Sequence, residues 1–276
     1  CPIIMRKTLL ISFIVPAFNA QSTLTGCVRS IVRTMSSCRS SYEIIIVDDG
    51  SADDTPRLAQ SLAEEIEEVT VVTQENRGLG AARNHGIDEA NGLYVAFVDA
   101  DDEIKASGIV DFSLLNGSFD ILCIPILRVT SKGKTSVYGS TTQRIPFGKR
   151  FDEARDYLRH RNVIPCACAY LWRRETLLTR FHEDIYHEDE EFTVMSLLHG
   201  GTLICTNQLF TYKYICRPDS ITTSSENAGK RLADIATIIG RLETYALAHP
   251  EQKRYMRTKL LWLHIDYLRQ RLRYHR

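Results

Sequence analysis

Four apolar runs, each ending in a polar or turn-forming cluster, constrain this chain more than anything else in it. LLISFIV (residues 9–15) stops at Pro16-Ala17-Phe18-Asn19, and EIIIV (43–47) stops at Asp48-Asp49-Gly50-Ser51. EVTVVTQ (68–74) leads to Asn76-Arg77-Gly78, and LYVAFV (93–98) leads to Asp99-Ala100-Asp101. Segments with helical spacing lie between them. Leu24, Val28, Ile31 and Val32 follow the first run, with Ser22 as the expected N-cap. Thr55-Pro56 opens the second helix, where the missing proline N–H costs nothing, and Leu58, Leu62 and Ile66 form its apolar face. A third helix is expected from about Gly80 to Ala90. Strands without a polar face that alternate with helices belong in a parallel sheet covered on both sides. The fold class is therefore α/β, a Rossmann-like, mostly parallel sheet flanked by helices and joined by right-handed crossovers. Ligands of such sheets sit beyond the carboxyl ends of the strands, so the four clusters converge on one rim.

The second half is less regular. FDILCIPILRV (119–129) reads as one strand, and residues 130–149 as a hairpin or loop. ACAYLWRRETL (167–177) reads as strand passing into helix, while TLICT and FTYKYI read as strands. From Ala233 the pattern is helical, with a break near His249-Pro250.

The formal net charge is +0 over 276 residues, so no global field favours nucleic acid as a partner. Most of the eight cysteines sit in apolar segments, which fits buried thiols in a reducing compartment and hence a cytoplasmic location. Cys166 and Cys168 are the one close pair; as alternating strand positions they would share a face. No apolar run reaches the length of a membrane span. The apolar start runs directly into Pro16 and Asn19, which fits a buried strand better than a signal peptide.

Asp99, Asp101 and Asp102 fall within four positions just past a buried strand. Like charges so close repel, and a divalent cation would offset that repulsion. Oxygen ligands suit Mg²⁺ or Mn²⁺, and such a metal draws its remaining ligands from phosphate and water. The plainer alternative is a solvated acidic turn. In VDDGSADDT (47–55), a carboxylate after the strand can accept a hydrogen bond from a base, Gly50 permits a tight turn, and Asp53 or Asp54 can cap the next helix. NRGLGAARNHG (76–86) departs from the dinucleotide fingerprint, because Arg83 stands at the third glycine position. Arg77 and Arg83 can approach phosphate or balance the acids.

ISFIVPAFNAQSTLTGCVRSI, EIIIVDDGSADDT, NRGLGAARNHGI and YVAFVDADD occur in this order, followed by YHEDEEF (186–192) and YICRPDSIT (214–222). Together they resemble family 2 glycosyltransferases of the GT-A fold, over about residues 8–225. The resemblance implies an inverting sugar transfer from a nucleotide-sugar, usually a UDP-sugar, to a hydroxyl of a glycan or lipid-linked saccharide. It implies a GT-A domain over 1–225, with a nucleotide-binding half (8–102) and an acceptor-binding half (103–225), and a C-terminal helical extension (226–276). Pro16, Ala17 and Phe18 would line the nucleoside pocket, with Asp49 on the base. Asp99-Ala100-Asp101 would be the DxD motif, with Asp99 near the ribose and the metal, and Asp101 on the Mn²⁺ or Mg²⁺. Arg83 would lie near the diphosphate or the acidic cluster, and Asp189 would be the catalytic base. Residues 130–149 and 217–222 would close over the substrates.

A metal-dependent phosphohydrolase also places Asp-x-Asp after a strand, but it usually has Thr or Val where Glu103 stands, and it leaves Asp48-Asp49 unexplained. A non-catalytic carbohydrate-binding relative is the other alternative. Residues 253–276 carry eight Lys/Arg and one Asp, with Leu261, Ile265, Leu268 and Leu272 at helical spacing. Such a helix suits an anionic membrane, which would make the protein peripheral at the inner face of the plasma membrane; packing on the domain and dimerisation are the alternatives.

Overall fold

The structure, a computed structural model, describes residues 9–36, 41–107, 112–137, 145–160, 163–217 and 227–274. The apolar runs form β1 (Leu9–Ala17), β2 (Ser41–Asp48), β3 (Val69–Thr73) and β4 (Tyr94–Phe97). Ile11, Phe13, Ile14 and Val15 are all completely buried, as a strand covered on both faces requires. The helices between them are α1 (Leu24–Met35), α2 (Thr55–Glu65) and α3 (Leu79–Glu89). The N-cap of α1 is Thr23, not Ser22, and its side chain makes no capping bond. The backbone supplies the cap instead, since Thr23 N and Leu24 N both donate to Ala20 O. The N-cap of α2 is Asp54, whose side chain makes no capping bond; Asp53 before it accepts from Thr55 N at 2.9 Å.

The chain continues through β5 (Glu103–Ala106), β6 (Ile121–Cys123), β7 (Ile126–Val129), β8 (Thr135–Val137), β9 (Arg150–Phe151) and α4 (Ala154–Tyr157). Then come β10 (Tyr170–Arg173), α5 (Glu188–His199), β11 (Leu203–Cys205), β12 (Phe210–Ile215), α6 (Ala228–Ala248) and α7 (Lys253–Tyr274). The large sheet has the order β3-β2-β1-β4-β10-β6-β11-β9, and the small one β5-β12-β7-β8. Strands β1 to β4 pair in parallel, while β10 runs antiparallel to both β4 and β6.

Three expectations for the second half need correction. Residues 119–129 form two strands in different sheets, because Pro125 lacks the N–H that a continuous ladder needs. Ala167–Ala169 is a 3₁₀ turn rather than a strand, so Cys166 and Cys168 do not occupy alternating positions of one face. Beyond β10, Arg174–Thr176 makes only a short turn of helix. The expected hairpin is present, as β8 pairs antiparallel with β7 around Gly133, whose φ of 72° suits glycine. Residues 138–144 of that segment, and 218–222 of the other expected closing segment, lie outside the described residues.

The predicted break separates α6 from α7. Ile235, Ile238, Leu242, Met256 and Leu263 from these two helices join the same apolar cluster as the sheet. The predicted leucine stripe lies on the outer face of α7. Leu261, Leu268 and Leu272 point outward, and Met256 and Leu263 point in.

Candidate active site

The turn after β4 carries three carboxylates with three different environments. Asp102 is buried; its Oδ2 accepts from Tyr212 Oη and its Oδ1 from Ile215 N, both at 2.7 Å. Tyr212 Oη also accepts from Asp99 N at 3.3 Å. Asp102 is therefore a brace between the turn and β12. Burial, followed by the charges of Asp99 and Asp101, pushes its carboxyl up to about 8. Asp99 Oδ1 accepts from Arg83 Nη2 at 2.7 Å. Asp101 is half exposed at the rim, where Arg217 donates to its carbonyl at 2.6 Å and lies 3.5 Å from its carboxylate. The crowding of acids that the sequence raised is thus eased by two arginines and a tyrosine of the chain itself.

Arg83 is buried on α3, under the sheet rim. Its guanidinium joins Asp99 to Glu188 and lies 5.2 Å from the ring centre of Phe181. Of the two expected placements, the structure gives the acidic cluster. Arg83 Nε has no hydrogen-bond partner.

The loops after β1, β2 and β3 are tied together. Asp49 is buried, and its carboxylate accepts from Gln74 Nε2 at 2.8 Å, and from Arg77 N and Gly78 N at 2.9 Å. Asp49 therefore shapes the 74–78 loop from within. Gly50 beside it has φ 73°, and a Cβ there would meet Asn76 N at 2.8 Å, which explains the glycine. Asp49 N donates to Ala17 O at 2.9 Å, so the segment Pro16-Ala17-Phe18 borders the Asp49 turn, with Phe18 exposed. Ala100 is buried between the two DxD carboxylates.

The first turn of α5 holds four acids, which the positive end of the helix dipole favours. Glu188 pairs with Arg83 on α3, Glu190 with Lys259 on α7, and Glu191 with Arg241 on α6 at 2.9 Å. Asp189 has no ion-pair or hydrogen-bond partner among the described residues. Burial, then Glu188 and Glu190, hold its carboxyl well above the usual carboxylate range. His187, which precedes the helix, takes a left-handed φ of 63°, and Asp184 one of 58°. Strained backbone of this kind gathers at functional sites. The structure thus joins Asp99 through Arg83 to Glu188, the chain neighbour of Asp189, with Asp101 two residues on from Asp99 at the rim. Lys259, Arg241 and Tyr212 escaped the sequence reading, because their partners lie 50 to 110 residues away and no local spacing marks them.

Among the described residues, no group of three His, Cys, Asp or Glu side chains is placed to hold a metal. The rim instead offers half-exposed Asp101, and Asp99, whose Oδ2 no described residue bonds. Two carboxylates suit Mg²⁺ or Mn²⁺, ions that take most of their shell from substrate phosphates and water. The donor set fits such an ion.

A sequence profile described as Glycosyl transferase family 2 matches residues 12–177. The uncharacterized glycosyltransferase YibD of Escherichia coli K12 is 41% identical, over 83% of this chain and 67% of its own length. EpsJ of Bacillus subtilis, also an uncharacterized glycosyltransferase, is 29% identical over 77% of this chain and 63% of its own. Among solved structures, S. aureus TarS 1-349 in complex with UDP-GlcNAc aligns with a TM-score of 0.64 and 20% identity, over 84% of this chain and 66% of that one. The mannosyltransferase PcManGT of Pyrobaculum calidifontis, in complex with GDP-Man and Mn²⁺, gives 0.59 and 16%, over 95% of this chain and 74% of that one. The chain therefore spans about two thirds of the length of these bacterial relatives. These likenesses show the GT-A fold, and nothing in them supports the phosphohydrolase alternative. On the profile match over residues 12–177 and the 41% identity to YibD, this chain belongs to glycosyl transferase family 2.

Proposed function

We propose that the chain transfers a sugar from a UDP-sugar to a hydroxyl of a glycan or lipid-linked saccharide in polysaccharide assembly, with inversion at the anomeric carbon. The observation that carries this reading is the unpaired state of Asp189. Of the four acids that open α5, it is the one with no ion-pair partner among the described residues, and its raised affinity for protons suits a general base.

In this reading, residues 8–102 bind the nucleotide and 103–225 the acceptor, with 226–276 as a helical extension. Pro16, Ala17 and Phe18 line the nucleoside pocket, and Asp49 holds the loop against which the base rests. Asp99, beside Ala100, faces the ribose, and Asp99 and Asp101 hold a Mn²⁺ or Mg²⁺. That ion, when bound, offsets the charge on the leaving diphosphate. Arg217, already on Asp101, can turn to the diphosphate. Asp189 accepts the acceptor's hydroxyl proton as the new C1–O bond forms. The bond from C1 to the diphosphate oxygen breaks on the opposite face, and no covalent intermediate with the protein is formed. Arg83 holds Asp99 and Glu188 on either side of this centre.

A donor screen by UDP release, run with and without Mn²⁺, tests the reading. Turnover of a UDP-sugar that Asp101→Ala abolishes is the expected result. No nucleotide-sugar turnover by the wild type, under any metal condition, would sink it.

We also place the protein in the cytoplasm, at the inner face of the plasma membrane. The six described cysteines are free, which supports a reducing compartment. No helix among the described residues is long and apolar enough to cross a membrane. The exposed Leu261, Leu268 and Leu272, beside Arg257, Arg269 and Arg271 on α7, support contact with anionic lipid. Sedimentation with anionic phospholipid vesicles should be lost in Leu268→Asp; sedimentation equal to wild type ends the idea, and a concentration-dependent change in mass points to dimerisation instead.

A further inference from the structure

The turn that leads the chain into α5 is held by another helix. Asp184 and His187 are both left-handed, with φ of 58° and 63°, and only Ile185 and Tyr186 stand between them. Asp and His tolerate that conformation better than most residues, yet two of them within four positions persist only where the surroundings fix them. The first turns of α6 do the fixing. Lys230 Nζ donates to Asp184 O at 2.8 Å, and Asp234 Oδ2 accepts from Tyr186 N at 2.8 Å. Lys230 and Asp234 are four apart on one face of α6, and Lys230 Nζ also donates to Asp234 Oδ2 at 3.1 Å. The same ammonium lies 5.0 Å from the ring centre of Tyr186. Two side chains of α6 thus hold the carbonyl of the first left-handed residue and the amide just before the second.

The Asp234 side chain is 12% exposed, so water competes poorly for the Tyr186 amide. Lys230 is half exposed, and its hold is the weaker of the two. The upstream part of the segment is held by α3 instead. Phe181 N donates to Asn84 Oδ1 at 2.8 Å, and Asn84 Nδ2 donates to Phe181 O at 3.0 Å. Residues 181–187 are therefore pinned between two helices, and Asp189 follows two residues later. With no hydrogen-bond or ion-pair partner of its own among the described residues, the Asp189 carboxylate is placed by the backbone that delivers it.

We propose that Asp234, assisted by Lys230, is a positioning residue for the sugar transfer: it locks the Asp184–His187 turn and so sets where the first turn of α5, with Asp189, stands. The helical extension is then a working part of the active site. This rests on Asp189 being the base.

The test uses the full chain and three readouts. Amide exchange at Tyr186 is followed without substrate, and calorimetry gives UDP affinity and stoichiometry. UDP release, from the UDP-sugar that the wild type turns over, gives kcat per UDP-binding site, so misfolded molecules do not count. Asp234→Ala should speed exchange at Tyr186 about tenfold, the loss of one hydrogen bond. It should lower kcat about tenfold to a hundredfold, as a small misplacement of a reacting group does. KM for the UDP-sugar and UDP affinity should stay within about twofold, because Asp49 and not α6 ties the nucleoside loops. Asp234→Asn keeps an oxygen that accepts from Tyr186 N, and should hold kcat and exchange within about threefold of wild type. Lys230→Met should lower kcat by about threefold, and Thr237→Ala, an exposed change on the same helix, should alter nothing. If Asp234→Ala does not fold, Lys230→Met decides, and wild-type kcat and exchange in it overturn the inference. Wild-type kcat in a folded Asp234→Ala, or an equal loss in Asp234→Asn and Asp234→Ala, also overturns it. Full activity in Asp189→Asn removes the underlying assignment of the base instead, and exchange at Tyr186 still reports whether α6 holds the turn.

Discussion

Arg83 carries more of the site than any other single side chain. Its buried guanidinium balances one carboxylate at the DxD turn and another at the start of α5. Arg83→Met would leave Glu188 buried and Asp99 half-buried without a cation. We expect a loss of about 3–5 kcal/mol, the cost of breaking a buried pair from one side. Urea denaturation measures it; a loss below about 1 kcal/mol would show that water replaces the arginine. Asp189 has the opposite signature. Its folded pKa is raised, so the stability linked to its proton is full below its unfolded pKa and is lost as pH rises through the folded one. Asp189→Asn should therefore be more stable than wild type at pH above that folded value, with the gain fading toward about pH 4. Thermal melts at two pH values check this. Asp49, Asp99 and Asp101 stood out in the sequence because they fall just past apolar runs, and Asp189 because YHEDEEF resembles a family segment. The brace by Asp102, and the pairings of Glu188 and Glu190, were not legible. Those depend on which distant side chain arrives, and no local pattern records it.

Elements explain why these side chains meet. Helix α3 packs against the segment leading to α5 through Gly80, where a Cβ would lie 2.5 Å from His182 O. Gly80→Ala should push that backbone away and cost about 1–3 kcal/mol, typical of overpacking. Activity should fall along with the melting temperature, since the displaced segment leads into Asp189; an unchanged melting temperature would contradict the contact. Strands β1, β2 and β4 could be read from composition, because burial on both faces leaves an apolar run, whereas the edge strand β3 mixes Val with exposed Thr. Residues 119–129 looked like one such run, yet Pro125 divides them between two sheets. Periodicity does not encode which sheet a strand joins. For α7 the helical period was legible, and the leucine stripe that it marked faces outward. Both faces carry large apolar residues, and Met256 and Leu263 take the buried side.

At the scale of the whole molecule, one apolar cluster runs from β3 through the sheet to α7. Removing residues 251–274 would therefore expose core and unpair Glu190 together. We expect such a truncation to aggregate, which is why point changes on the outer face of α7 are the cleaner membrane test. The charges gathered near the start of α5 come from across the chain: Arg83 and Asp99 from the expected first half, Glu188 and Asp189 from the expected second, and Lys259 and Arg241 from the expected extension.

The most direct measurement is kcat for Asp189→Asn beside its UDP affinity. A lost general base should reduce kcat by about a hundredfold to ten-thousandfold while UDP binds as in wild type. A variant that transfers sugar at the wild-type rate would contradict the account.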